Sequence, residues 1–555
     1  MKTFRNYFSA LLVIMLPILI ISCKKDDPIP DSASITAPTT VTTVLTQASS
    51  EITFTVITPG GFKSSSVVAT GGTAVVKSAP AVGDTEGSIV ITFTAGTTVG
   101  AGSSTVTAID NQDRATTATA VIDVKLTGPT EITSSITTNT TWTAGKKYLL
   151  KGNIYVQAPA ELTIEAGTII LGDKVTKGAL IVSRGAKIHA IGTAAKPIVF
   201  TSAAPKGFRN TGDWGGVVVL GKAKNNQSAD QPIEGISAPT GDNGKYGGTD
   251  DADNSGELQY VRIEFAGIAL STDNELNGLT LGSVGSATKI DHVQVSYSGD
   301  DSFEWFGGTV NTSYLIAYKG WDDEFDIDFG YSGVNQFLVS YRDPNIADKS
   351  GSNGFESDND GGGSLDKLPV TSAIFANVTF FGPYMYAKLS SGALSAGAIS
   401  ANYKRGAHIR RNSALQVYNS VFAGANVDGV FFENTNIEAA FKGNYIGRIT
   451  GSAKPTPVAK AIAPYNDSNF ATDNTIASPL NGVDLTTLFA GSVSNLWDLN
   501  QPSALLATGS TLLTGAVTLP AGKGLAQTAY KGAFDATNNW AKSTWTNYDP
   551  INTEY

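Results

Sequence analysis

Carboxylates recur in the middle of this chain at a spacing that unrelated loops would rarely share. Ser298-Gly299-Asp300-Asp301-Ser302-Phe303-Glu304 is followed by Gly320-Trp321-Asp322-Asp323-Glu324-Phe325-Asp326 and, more loosely, by Ser352-Asn353-Gly354-Phe355-Glu356. Phe303 and Phe325 stand 22 residues apart, a period that suits one coil of a solenoid. Stacked coils would set Asp300 and Asp301 beside Asp322 and Asp323, and Glu304 beside Asp326, with Glu356 continuing the column. Carboxylates one strand apart repel each other modestly in water and severely when buried. A divalent cation, a lysine such as Lys319 or a shared proton must then neutralise them, unless they point into water at the coil corners. Asp300, Asp301, Asp322 and Asp323 are thus candidate acid–base groups. Glu356, Asp358 and Asp360 in the phrase ESDNDGGG supply more oxygen ligands.

A second oxygen-rich stretch, Asp251-Ala252-Asp253-Asn254-Ser255-Gly256-Glu257, has the first half of a calcium loop, with ligands at alternate positions and a glycine for the sharp turn. The twelfth position would be Arg262, which cannot hold a cation, so an EF-hand is excluded. What remains is a partial Ca²⁺ site built from Asp251, Asp253, Ser255 and Glu257, or a solvated turn whose side chains bond their own backbone. Aromatic residues gather in the same acidic coils. Trp305, Trp321 and Tyr331 could form a flat platform for sugar rings beside Glu304, Asp326 and Glu356. Tyr297, Tyr318 and Tyr341 recur at one point of their repeats, which fits an internal ladder equally well. No Ser-His-Asp arrangement, P-loop, CxxC or HExxH occurs, so neither a nucleotide nor a redox cofactor is expected.

The elements that must position these groups are short strands. HVQVSY (292–297), YLIAY (314–318) and QFLVSY (336–341) each precede an Asp-rich or Gly-rich corner. Earlier segments, ELTIEAGTIILG (161–172), GALIVSRGAKIHAIG (178–192) and KPIVFTS (196–202), repeat the pattern of strand and glycine turn. Each is too short to stand alone, so its apolar face must be buried against the next coil. Asn377 and Asn419 hold matching positions in later coils, as stacked asparagines would. The fold class expected is all-β: an Ig-like β-sandwich over 34–126, a right-handed parallel β-helix over 130–434, and a C-terminal cap over 435–555 in which Phe534, Trp540 and Trp545 pack on the open end. The sandwich rests on strands that alternate apolar and polar residues, such as EITFTV (51–56) and GSIVITFTA (87–95).

The amino-terminal end suggests an address. Lys2 and Arg5 precede an apolar run from Phe8 to Ile21, too short for a membrane span and about the length of a signal h-region. Residues 1–22 read as a signal peptide. Ile20-Ile21-Ser22-Cys23 resembles a bacterial lipobox, and Cys23 is the only cysteine, so no intrachain disulfide is possible. Residues 23–33 would be a lipidated tether, and Lys24-Lys25-Asp26-Asp27 resembles the export signal of outer-membrane lipoproteins in Bacteroidetes. The chain carries 59 glycines, only 16% charged residues and a net charge of −10. That balance favours strands and turns and argues against a nucleic-acid partner.

From 130 onward the chain resembles a family of Bacteroidetes surface proteins with β-helices of the pectate-lyase type, on the residues LTIEAGTII, ALIVSRGAKI, KPIVFTS, GDWGG, YGGTDDADNSGELQYVRIEFAG, DDSFEWFGGTV and YKGAFDATNNWAKSTWTNYDP. That family brings no established activity. Gly299-Asp300-Asp301 also resembles part of the acid motif of polygalacturonases, which hydrolyse pectin on the same fold. Their Gly-His-Gly and Arg-Ile-Lys strings are missing, and His189, His292 and His408 are scattered. Arg342, Arg405, Arg410 and Arg411 are nominal lyase bases with no motif to fix them. The expectation is a lipid-anchored protein of the outer-membrane surface that binds an extracellular polysaccharide, with Ca²⁺ as its only candidate cofactor. The alternatives are a lyase or hydrolase of acidic glycans, and a structural or adhesive protein or transporter accessory with a surface partner.

Overall fold

The computed structural model describes residues 28–125, 128–236, 240–271, 274–386, 388–390, 393–395, 399–433, 440–447, 467–478, 485–490, 502 and 504–555. The expected signal peptide over residues 1–22, Cys23 and residues 24–27 lie outside them. The chain forms two compact units, Met1–Gly128 and Pro129–Tyr555.

The first unit is an Ig-like sandwich of two four-stranded sheets. One sheet orders Ser34–Thr36, Ser49–Ile57, Glu86–Ala95 and Gly72–Ser78, all antiparallel. The other orders Thr42–Leu45, Ala115–Lys125, Gly100–Asp110 and Phe62–Thr70, with only its first pair parallel. Side chains alternate across a strand, so Ile52, Phe54 and Val56 lie beside Ile89, Ile91 and Phe93 on one inner face, packed with Val106, Ile122 and Val124 of the other sheet, and intervening Thr and Ser stay near water.

The second unit is a right-handed parallel β-helix. Seventeen strands between Thr130–Ile132 and Thr475–Ile476 make one parallel sheet, and nine between Asn153–Val156 and Asp428–Glu433 make another. In the nine-stranded sheet Leu279, Phe303, Phe325 and Phe355 occupy one register position. Their rings stack inside the coil, with centroids 5.7 Å between Phe303 and Phe325 and 5.5 Å between Phe325 and Phe355. Because parity alternates along a strand, Glu304 and Phe306 must face outward where Phe303 and Trp305 face inward. Apolar columns thus drive the stacking, and acidic columns are carried along on the other face.

The long strands of the large sheet bend at one shared point. Tyr260, His292, Tyr314, Phe337, Asn377 and Asn419 all adopt positive φ, between 48° and 63°. Asparagine tolerates this region, while large rings rarely do. The rings compensate by stacking, with centroids 4.5 Å apart for Tyr260–His292, 4.5 Å for His292–Tyr314 and 5.2 Å for Tyr314–Phe337. Asn377 and Asn419 do share a register level, but each binds the C-terminal segment rather than the other.

That segment departs from the expected cap. The coil continues past 434 through Ala440–Lys442, Tyr445–Gly447 and Thr475–Ile476, and the helix Asp467–Asp473 sends Phe470 into the core there. Residues 504–555 instead run back along the flank. Asn419 exchanges two bonds of 2.8 Å with the backbone of Val517, and Gln336 exchanges bonds of 2.8 and 2.9 Å with Ala526. Gln294 does the same with Asn547 at 2.7 and 2.9 Å, and Arg209 donates to the carbonyls of Pro550 and Thr553. A side-chain amide offers one donor and one acceptor, as a peptide does, so each coil clasps the strap as an added strand would. On this flank Tyr548 packs against Tyr318 and Tyr341, Trp540 against Tyr314 and Phe534, and Trp545 against Tyr260 and His292.

Candidate functional site

The outward column of the nine-stranded sheet reads Thr280, Glu304, Asp326, Glu356, His408 and Phe431 in register. The 22-residue period therefore stacks Glu304 on Asp326, and a longer coil brings Glu356 into the same column. Two residues on, Phe306 pairs with Asp328, and Asp358 with Arg410. Glu304, Phe306, Asp326, Asp328, Glu356, Asp358 and Arg410 form the floor of a groove of about 510 Å³, completed by Glu234, Tyr246, Phe329 and Arg411. Its size falls within the range of small-molecule sites, roughly 300–1,000 Å³. Two loops raise its walls. In the segment after Leu220, Gln231–Pro232 pairs with Lys245–Tyr246, and Asn226 and Gln227 reach across to Asn359 and Asp360. On the facing side Gly361 donates its N–H to Asp328.

Within the groove the carboxyls differ. Glu356 is held below the ordinary range by His408, Arg410 and Arg411 despite its burial. Asp326, its neighbour on the next strand, is pushed well up by burial and by the charges of Glu356, Asp328 and Asp358. Asp326 Oδ1 is shut off from water and has no hydrogen-bond partner. Glu304, 4% exposed, accepts one bond from Asn277 and is likewise raised by burial and by surrounding acids. Asp358 is bracketed by Arg410 at 2.9 and 3.1 Å and by Arg411 at 2.5 Å. Neighbouring carboxyls of the column are therefore pulled in opposite directions, as the paired acids of general acid–base chemistry are.

The second aspartates of the repeat have a different role. Asp301 takes the N–H of Asp323 at 2.8 Å, and Asp323 takes the N–H of Asn353. Asn277 begins the series by taking the N–H of Asp301 at 3.1 Å. Each coil thus pegs the next corner with a side-chain oxygen, and Asp301 and Asp323 are structural as well as acidic. Asp300 and Asp322 lie beside them. Oxygens of Asp300, Asp301 and Asp322 fall within 4.8 Å of one another, as do those of Asp301, Glu304 and Asp326. An all-oxygen set suits a hard cation such as Ca²⁺. Arg342, fully buried, holds this corner: it pairs with Glu324 at 2.8 Å, donates to the carbonyls of Trp321 and Asp322, and lies over the ring of Tyr403.

Several expected site residues do something else. Trp305 and Tyr331 are wholly buried and stacked on each other at 5.5 Å, so neither is a sugar platform. Trp321 is 40% exposed and bonds Asp348, away from the groove lining. The half calcium loop is already satisfied: Lys224 pairs with Asp251 at 2.7 Å, the Lys222 N–H and the Ser255 hydroxyl reach Asp253, and Lys289 pairs with Glu257 at 3.3 Å. Asp360 is likewise taken by Lys367 at 3.1 Å and by two backbone amides. Asp251, Asp253, Ser255, Glu257, Asp358 and Asp360 therefore do not assemble into a cation shell. Residues not foreseen are Asn277, Asp328, Glu234 and Tyr246. Asp328 was readable from the alternation in Phe325-Asp326-Ile327-Asp328; the others come from distant loops.

Residues 134–460 match the family described as a pectate-lyase-like β-helix domain, and the chain belongs to that family. A solved structure, the family 28 exopolygalacturonase of Yersinia enterocolitica, aligns over 79% of this chain and 98% of its own at 10% identity, with a TM-score of 0.17. At that score the likeness carries no argument about site or activity. None of the curated proteins matches.

Proposed function

We propose that this chain is a lipid-anchored protein of the outer-membrane surface that binds an extracellular polysaccharide in the groove above Glu304, Asp326 and Glu356. The observation that supports this reading is the groove itself: about 510 Å³ on the outer face of a rigid parallel sheet, walled by two loops and lined by convergent polar groups. Cys23 would carry the acyl chains, and the sandwich would act as the spacer between lipid and groove. A divalent cation held by Asp300, Asp301 and Asp322 would neutralise the corner. The test is retention of glycans by the purified chain, lost with Glu304→Gln and Asp326→Asn. Absence of retention on a broad glycan array defeats the reading. Anchoring is tested separately by fatty-acid labelling that disappears in Cys23→Ala.

A second reading, glycoside hydrolysis, draws support from the opposed proton affinities of Asp326 and Glu356 on adjacent strands. Asp326 would donate a proton to the leaving oxygen, and Glu356 would activate water. Release of reducing ends, abolished by Asp326→Asn with glycan retention kept, would establish it; retention without release leaves the binder.

A further inference from the structure

We infer that the glycan this groove takes is cationic, a chain of sugars bearing free amines, and not a uronate. The inference rests on the groove being a polysaccharide site and goes on to its charge. Six carboxylates line the cavity, those of Glu234, Glu304, Asp326, Asp328, Glu356 and Asp358, against two cations, Arg410 and Arg411. Both arginines are already committed. Arg410 bonds Asp358 and Glu356, and Arg411 bonds Asp358. Each guanidinium is thus already paired with an acid of the wall, and the charge that remains is negative. His408, at the end of the column, pairs with Glu433 at 2.7 Å.

The remaining acids want donors. Glu304 is 4% exposed, and among the described residues the hydrogen bond its carboxyl accepts comes from the Asn277 amide. Asp326 lines the groove, and its Oδ1 is buried without a hydrogen-bond partner among the described residues, so the acid brings uncompensated charge to the wall. Asp328 is met by the N–H groups of Phe329 and Gly361, which carry no formal charge. A buried acceptor without a donor is costly, and a ligand that supplies one recovers that cost. An ammonium group brings three donors and a positive charge to the place where both are missing. A uronate would bring a further anion to a wall where acids outnumber cations by six to two, the arrangement by which sites reject a wrong partner.

The test compares three tetrasaccharides with the full mature chain by titration calorimetry in the presence of a chelator: a glucosamine tetramer, its fully N-acetylated counterpart and a galacturonate tetramer. The glucosamine tetramer is expected to bind at least ten-fold more tightly than the acetylated one, with affinity falling as salt is raised, and the galacturonate tetramer weakest of the three. Glu304→Gln and Asp326→Asn should each reduce the ratio between amine and acetylated ligands while melting stays cooperative. Arg411→Ala, which frees charge on Asp358, should widen that ratio, so the inference does not depend on a single variant. Equal binding of the amine and acetylated tetramers, or preference for galacturonate, overturns the charge inference and leaves the groove as a glycan site. Binding of oligolysine with no tetramer bound overturns both, and makes the groove a site for a basic peptide.

Discussion

Asp326 and Glu356 lie side by side on adjacent parallel strands, and their surroundings pull the two carboxyls in opposite directions. Burial and neighbouring acids raise Asp326, while His408 and the arginines lower Glu356. The consequences for stability have opposite signs. For Asp326 the folded state keeps its proton at a pH where the unfolded chain has lost it, so stability is present at low pH and declines as pH rises through the folded value. For Glu356 the contribution is present above the unfolded value and disappears as pH falls through the lowered folded one.

Asp326→Asn is therefore expected to stabilise the metal-free protein at pH 8. The gain should vanish near pH 4. Glu356→Gln should destabilise at pH 7 and converge on the parent under acid. Urea midpoints across pH measure both; parallel profiles for the two variants would remove the asymmetry.

Calcium should substitute for protons at the corner. If Asp300, Asp301 and Asp322 hold the ion, added Ca²⁺ raises the melting temperature at pH 8, where the acids repel most, and has little effect at pH 5. Binding of ligand to the native state alone gives about 2.7 kcal/mol at a hundred-fold excess over Kd. Asp300→Asn should remove the response without disturbing the backbone pegs that Asp301 and Asp323 provide. Differential scanning calorimetry with and without chelator decides the matter; a melting temperature indifferent to calcium leaves protonation as the neutralising device.

Arg342 keeps the corner in place from beneath. Its removal strands Glu324 in a dry interior and releases the carbonyls of Trp321 and Asp322. Breaking a buried pair by deleting one partner costs about 3–5 kcal/mol. Arg342→Ala is expected to lose that much in urea unfolding, and Arg342→Ala with Glu324→Leu to recover part of it. If the double variant is no more stable than the single one, the cost lies in the carbonyls and not in the stranded charge.

The column was legible in the sequence because it is a repeat: Phe303 and Phe325 share a period, and register does the rest. Parity also held enough information to place Trp305. It shares the inward face of Phe303, two residues away, and an exposed platform there contradicts the alternation that puts Glu304 outside. The half calcium loop misled for a different reason. Its oxygen-bearing residues are spaced along the sequence as in a calcium loop, but Lys224 and Lys289 arrive from 27 and 32 residues away in sequence, and no local pattern announces that. The groove walls and Asn277 are tertiary in the same sense. Asn277 looks like any loop asparagine until the fold sets it under Asp301.

The strap was the least legible element, because it has no periodicity of its own and takes its order from the coils it crosses. That dependence is testable. Gln294, Gln336 and Asn419 each satisfy one N–H and one C=O of the strap. Gln336→Leu leaves both groups of Ala526 unpaired, at about 1–3 kcal/mol for each group that stays buried. Trp545→Ala removes a buried indole, with an expected loss of about 3–5 kcal/mol. Because the strap shields Tyr318 and Tyr341, which are otherwise apolar flank, deletion of residues 515–555 should uncover a surface that binds hydrophobic dye and self-associates. Light scattering and dye fluorescence read this directly. A truncated chain that stays monomeric and melts at the parent temperature would mean that the coils hold together without their strap.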